Sequence, residues 1–544
     1  MTAPANNDVR TARLSAEPAN RKPLGQDEPV LAFWAAVLLG GFIILAVFGT
    51  SAFVVVPVVV LYLAAVASCI NIKGERSLAH RVVHRLREKW RRKHGEHIYV
   101  NENDVRYGDP AVDPGWELPV PLGTAFPLTL DGTGMDDMFI LLHKNPGEPD
   151  YLSVVLMVEG VPGGERADAN WSSTWQQFGD ALGSLARRGS FLRSIQMCHR
   201  SVPADFAPHL HWVNKEVNDA YADLPEEARR LLLPALDSYE ELISDAAPLA
   251  EDYRDYVVLR FPLSGALLRE ARKVADRHDA AFEGAMAKVL AGNIEKVIEE
   301  LQSADMGSIE LLGEQRTCAV FRAFIDPSFK LERHKGASWE NCWPSYIGDQ
   351  RSDTMVVNPR GEHPWYTRVA TVPPGAIAPV NLGPKWLDAL EYGVAPDPGD
   401  EETLPAPTIR TLSVRMDLIP ADIARTAAKR DLTDDMANQI AEQKKGKLSD
   451  GMNEMMMDAS TRRREDLMPG SGHHGVIYGF TIAVTGRDED DIDRACRRIE
   501  TAASDSAIER LNWCTDRHDV AVFNTLPLGR GLSYVAKYQK DYES

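Results

Sequence analysis

The sequence predicts an α+β fold in which a transmembrane helical hairpin at the amino terminus precedes two split α/β sandwich units. Three observations predict it. Residues 29–72 run without a single charged side chain. Beyond them, segments alternating apolar and polar residues at period two give way, twice over, to segments with helical periodicity. At 544 residues the chain is long enough for several packed units, and with 26% charged residues it is not a disordered chain.

The net charge of −19 argues against a dedicated nucleic-acid binder, and it is unevenly spread. Residues 1–95 carry 13 Lys+Arg and 6 Asp+Glu, whereas residues 96–544 carry 47 and 73. A basic head on an acidic body is a membrane pattern more than a DNA pattern.

After a polar tail over 1–28, the uncharged stretch 29–72 is about twice as long as one span needs, and Gly49-Thr50-Ser51 divides it into two lengths that each suffice. A cleaved signal peptide fits poorly, because the apolar run is too long and a polar segment precedes it. Residues 73–93 then carry nine Lys/Arg against Glu75 and Glu88. The positive-inside rule therefore expects two spans in the inner cell membrane with both termini cytoplasmic. Leu78, Val82, Leu86 and Trp90 recur every fourth residue, so 73–95 reads as a basic amphipathic juxtamembrane helix suited to anionic lipids.

The body divides into a first α+β unit, 96–330, and a second, 331–544. In the first, Met138–Lys144, Tyr151–Gly160, Phe191–Val202 and Tyr256–Leu263 read as strands. Trp171, Trp175, Phe178, Leu182 and Leu185 mark one helix face, and helices are expected over 206–250 and 266–325. In the second, Leu412, Val414, Met416 and Leu418 alternate with Thr411, Ser413, Arg415 and Asp417, predicting a strand with one buried and one polar face. A long helical stretch over 421–467, the strand Val476–Thr485 and a helix from Asp488 to Ala503 follow. Helices are expected on one face of the sheet.

Sites of chemistry are sparse, and no catalytic, cofactor-binding or metal residue is assigned. A phosphate-binding loop is missing: Gly446-Lys447 is its nearest approach, with Leu448 and Ala441 at positions that need Ser/Thr and Gly. Gly470, Gly472 and Gly475 spell GxGxxG but leave a helix and enter a strand, the reverse of a dinucleotide site. Cys198-His199 with His209 and His211, and His473-His474, supply ligand types without a metal-site pattern. Asp488, Glu489, Asp490, Asp491 and Asp493 lack a calcium loop's glycine and fit a helix amino terminus better. Glu362-His363 is too slight a pair to specify acid–base catalysis. The six cysteines contain no CxxC spacing and are expected reduced. The acidic loop 395–405 and the stretch Met452–Arg464, rich in Met and Arg, are candidate partner contacts.

Leu412–Asp422, the long helices after it, the strand at Ile482–Thr485 and the closing Asp519–Gly529 resemble the amino-terminal domain of the large conjugation ATPases of type IV secretion systems. With the two-span segment, residues 30–535 are similar to an actinobacterial family from conjugative elements, in which a PrgI-like membrane segment is fused to such a domain without its motor. In the resembling ATPases the segment equivalent to Phe523–Pro527 leads into the motor domain. The resemblance implies a non-catalytic, membrane-anchored structural subunit that docks a P-loop conjugation ATPase, in a homo-oligomer with other secretion subunits and no direct nucleic-acid contact. A membrane component of a type VII (ESX-type) secretion system is the alternative, and a membrane-bound enzyme a third reading.

Overall fold

A computed structural model describes residues 28–49, 51, 55–60, 62, 78–105, 116–145, 148–160, 168–331, 335–349, 353–357, 364–373, 375–378, 380–399, 405–444, 452–515 and 517–531. They form two compact units, one ending at Ile98 and one from Tyr99 onward.

The small unit holds α1 (Glu28–Phe48), further helical residues at 55–60 and 62, and α2 (Leu78–Lys93). The Tyr62 hydroxyl donates to the Leu38 carbonyl at 2.9 Å. No helix among the described residues is long and apolar enough to cross a membrane, so the two-span hairpin expected over 29–72 is not found. Of α1 the described side chains run only from Ala35 to Val47, and 52–54, 61 and 63–77 lie outside the described residues. In α2, Glu88 and Arg91 are buried and paired at 3.0 Å, while Val82, Leu86 and Trp90 remain exposed.

The large unit is built on one 13-stranded sheet, and every strand pairing described in register is antiparallel. In chain order its first part runs β1 (Ile98–Val100), β2 (Thr124–Pro127), β3 (Leu141–Lys144), β4 (Tyr151–Val158), α3 (Asp168–Leu185) and β5 (Ser194–Pro203). Next come α4 (Ala207–Tyr221), α5 (Glu226–Ala246), β6 (Glu251–Pro262), α6 (Gly265–His278), α7 (Phe282–Ser303), β7 (Ile309–Leu311) and α8 (Glu314–Ile325). The second part runs β8 (Tyr346–Asp349), β9 (Met355–Val357), β10 (Trp365–Val372), α9 (Asp388–Glu391) and β11 (Ile409–Ile419). It closes with α10 (Ala421–Lys444), α11 (Met452–Asp466), β12 (Gly475–Gly486), α12 (Glu489–Asp505), β13 (Asn512–Trp513) and α13 (His518–Ala521). The strand order is β1-β8-β9-β10-β12-β11-β5-β6-β4-β3-β2, with β13 beside β10 and β7 beside β4.

That order is a repeat. The run β3-β4-α3-β5-α4-α5-β6 has its counterpart in β9-β10-α9-β11-α10-α11-β12, and the equivalent strands occupy mirrored places in the sheet. β4 and β10 have eight residues each, β6 and β12 twelve each. The registers agree too: Leu156–Val257–Met197 across β4-β6-β5 matches Ala370–Ile482–Leu412 across β10-β12-β11. Even the short β7 and β13 sit alike, Leu311 opposite Leu156 and Trp513 opposite Ala370. The match equates Cys198 with Ser413, and these two residues face each other where β5 pairs with β11. A pseudo-two-fold axis therefore crosses the sheet at Cys198–Ser413. The two repeats are joined through β5 and β11 into one sheet.

Both faces of that sheet are covered. On one, Leu152, Val154, Leu156, Val257, Leu259 and Phe261 pack under α3, α6 and α7, and Leu412, Ile482 and Val484 under α12. On the other, Val155, Tyr256, Val369 and Ala483 meet α8, Trp339, Trp343, Phe523 and Leu528. Two expectations are corrected here. Helices do not keep to one face, because β4 carries apolar residues at almost every position and is buried on both. The polar row of β11 is not a solvent face either: Thr411, Ser413, Arg415 and Asp417 are all buried. Neighbours satisfy them, with Arg200 donating to Thr411 at 2.7 Å and Arg415 to Asp417 at 3.0 Å.

Gly486 ends β12 against the first turn of α12, where a Cβ would lie 2.6 Å from the Ile492 nitrogen. Backbone cannot yield as a side chain does, so Gly486→Ala is expected to cost about 1–3 kcal/mol in thermal unfolding. The fully buried Arg322 bridges Asp104 and Asp326, each at 2.9 Å. Arg322→Met leaves two buried carboxylates without their guanidinium and is expected to cost about 3–5 kcal/mol in denaturant titration.

Candidate functional site

The seam at the pseudo-two-fold axis is held by the last described residues of the chain. Gln196 on β5 is fully buried, and its amide nitrogen donates to Ser413 Oγ at 2.8 Å and to the Leu526 carbonyl at 2.9 Å. Its amide oxygen accepts from the Gly529 nitrogen at 2.6 Å. Ser413 Oγ donates to the Asn524 carbonyl at 3.1 Å, and Tyr151 OH to the Leu528 carbonyl at 3.1 Å. Gly529 takes a left-handed φ of 74°, which turns the chain close over Tyr151 and Arg260. Phe523–Pro527, which carries part of the family resemblance, is thus a strap across both repeats. Its chemistry is that of a structural network, with each polar group occupied by a neighbour.

On the opposite face, midway along β5 and β6, His199 Nδ1 lies 2.9 Å from Asp255 Oδ1. Its ring stacks on Tyr253 and meets Tyr392 edge-on. Beside it Arg410 binds Glu251 through two bonds, at 3.0 and 2.8 Å. Burial pushes the His199 imidazolium down, but the bond and charge of Asp255 outweigh it and leave the pKa raised. Burial also raises the Glu391 carboxyl nearby.

The sequence-singled residues mostly separate. Cys198 and His199 point to opposite faces, as strand neighbours must. The Cys198 thiol is pushed up to about 12 by burial, so it is no ready nucleophile or ligand. His209 sits on α4, 2.6 Å from the Tyr239 hydroxyl. Among the described residues no group of three His, Cys, Asp or Glu could hold a metal ion. Burial lowers His474 to about 4, with His473 adding to it. Asp488 caps α12, accepting from the Asp491 nitrogen at 2.7 Å, as its helix-terminal reading expects. Gly470 and Gly472 have positive φ in the loop that enters β12. Glu362-His363 and Gly446-Lys447 lie outside the described residues, as do the side chains of Met452, Met455 and Met456.

The acidic loop 395–405 is less free than its composition suggests. Asp397 is buried and paired with Arg494 at 3.0 Å and Arg498 at 3.5 Å. Burial raises its carboxyl, but Arg494 and the Gly399 N–H more than offset this and hold it at about 2. Residues 400–404 of the loop lie outside the described residues.

What most resembles a functional surface is a feature the sequence reading did not single out. In both repeats the connection between the paired strands, β5 to β6 and β11 to β12, is a two-helix arm. Because β5 and β11 are antiparallel, the arms leave opposite ends of the sheet. The α10–α11 arm is fixed at its base by Ile419, Ala424, Ala428 and Leu467. The α4–α5 arm contains no buried residue at all, and Trp212, Leu231 and Leu242 lie exposed on it. The sequence carries no signal for this: Leu210, Val213 and Val217 on α4 and Leu232, Leu236 and Ile243 on α5 form apolar stripes, yet none of them is buried.

No family model and no curated protein matches the chain.

His518 Nδ1 accepts from the Val369 nitrogen at 2.9 Å, and burial with the Arg368 charge lowers its pKa to about 4. The folded state therefore favours neutral imidazole: its contribution is full above pH ~6.5 and is lost as pH falls toward ~4. His518→Asn, whose side-chain oxygen can accept the same bond, is expected to flatten stability across that window when unfolding is followed against pH. Gln196→Leu is expected to cost about 1–3 kcal/mol by leaving carbonyls of the strap unpaired. Limited proteolysis beyond Arg517 checks it: cleavage faster than in the unsubstituted chain is the expected result.

Proposed function

We propose that this chain is a non-catalytic, membrane-anchored structural subunit of a type IV secretion or conjugation apparatus. It docks a cytoplasmic P-loop ATPase at the inner membrane, as a homo-oligomer among other apparatus subunits. The observation that carries the anchor is in the small unit. There α1 leaves Leu39, Phe42, Ile43 and Val47 exposed, a contiguous apolar surface that water does not favour. The uncharged sequence on both sides of Gly49-Thr50-Ser51 supports two spans, and the Tyr62–Leu38 hydrogen bond supports their folding back on one another. The basic α2, with Val82, Leu86 and Trp90 exposed, suits the anionic inner leaflet, with both termini cytoplasmic.

The assignment to type IV secretion rests on the resemblance of the second repeat. A docking role is supported by the two arms, which present helix surface at opposite ends of one rigid sheet. Such a scaffold transfers no electrons or groups; its contribution is placement.

Two measurements test this. Deleting residues 29–72 is expected to move the chain from the alkali-resistant membrane fraction to the soluble one, and a chain that stays membrane-bound defeats the anchor. Tagged chain recovered from detergent-solubilised host membranes is expected to bring a P-loop ATPase with it. Recovery of small WxG secreted proteins, or of lipid-synthesising enzymes only, overturns the assignment.

A further inference from the structure

The α4–α5 arm is strongly acidic. Over 207–246 it carries nine carboxylates against Lys215, Arg229 and Arg230. Most of these acids are not consumed within the fold. Glu226 pairs with Arg230, and Glu240 accepts from Asn214. Glu216, Asp219 and Asp223, with Glu227, Glu241 and Asp245, are exposed and make no side-chain bond among the described residues. They are ordered around apolar anchors. On α4, Glu216 and Asp219 follow Trp212 at i+4 and i+7, one face of the helix. On α5, Glu227, Leu231, Leu242 and Asp245 fall in one stripe by the same spacing. Trp212, Leu231 and Leu242 are 56%, 73% and 62% exposed. Each helix thus bears exposed apolar side chains flanked by unpaired negative charge, which matches a partner helix that is apolar on one side and basic on its flanks.

The sister arm is the control that the repeat provides. It leaves an equivalent strand, yet residues 421–466 carry ten carboxylates against nine bases, and its base is packed on the sheet. Equivalent position with different charge points to a specific occupant of the first arm, not to a general property of exposed helices. An anionic membrane surface is disfavoured by the same charge.

We infer that the α4–α5 arm docks a basic amphipathic helix of a partner protein, with Trp212, Leu231 and Leu242 as anchors and the flanking carboxylates selecting the charge. The inference concerns this surface whatever apparatus holds the chain.

The test uses the full chain in phosphatidylcholine nanodiscs and, as probe, a synthetic amphipathic helix of Leu and Lys. Its mirror in charge, a Leu/Glu helix, is the comparison. Hydrogen exchange reads the site: protection is expected within 207–246 with the Leu/Lys peptide, absent with Leu/Glu, and not within 421–466. Two variants separate the components. Trp212→Ala with Leu242→Ala removes anchors, and Glu216→Gln with Asp219→Asn and Asp223→Asn removes charge at constant shape. Each is expected to weaken peptide binding about tenfold or more, with the exchange pattern of the sheet unchanged, so misfolding is told apart from lost contact. Equal protection by both peptides, or protection unaffected by the variants, overturns the inference. So does arm protection that grows with protein concentration in the absence of peptide, which would assign the surface to a second copy of the chain.

Discussion

Where β5 meets β11, two repeats share one set of backbone hydrogen bonds, and most of the architecture follows from that join. Eight residue pairs from Ser194–Asp417 to Ser201–Arg410 form the junction, with Cys198 opposite Ser413 near its centre. A strand at this place has repeat on both sides and layers on both faces, so none of its groups can be left to water. Gln196 and Ser413 meet that demand sideways, and the strap from Asn524 to Gly529 meets it from above. The join also fixes the arms. Each leaves the end of a central strand, and antiparallel pairing sends the two to opposite ends.

Buried charge recurs at the positions that tie segments distant in sequence. Arg322 reaches Asp104 across the large unit, Arg410 joins the second repeat to Glu251 of the first, and Arg260 pairs with Glu148 while lying over the Tyr151 ring. Such pairs contribute little net stability once desolvation is counted. Their geometric demands are strict, however, since a guanidinium left without its carboxylate is costly. They specify which strands lie together more than how tightly.

The two repeats keep their topology and differ in chemistry. The first arm has no buried residue and an excess of acid, whereas the second is packed at its base and nearly balanced in charge. The middle of β5 and β6 carries the His199–Asp255 pair, and the equivalents of His199 and Asp255, by the register match, are Val414 and Phe480. The scaffold is duplicated, but each surface on it has its own chemistry.

Local pattern determined much of this in advance. Periodicity placed β4, α3, β5, β6, β11, β12 and α12 within a few residues, because half-buried strands and one-sided helices write their buried face into the order of residues. It likewise placed Asp488 at a helix amino terminus and Gly470 and Gly472 in the loop that enters β12. What it left out is non-local. No local pattern marks β9 and β10, and nothing local shows that the polar row of β11 is buried, since segments more than a hundred residues away cover it. The repeat stands out in strand order and register, which long-range pairing decides. So too with function: the charge of the arm was countable in the sequence, but that its helices touch little and stand exposed is a fact of tertiary packing.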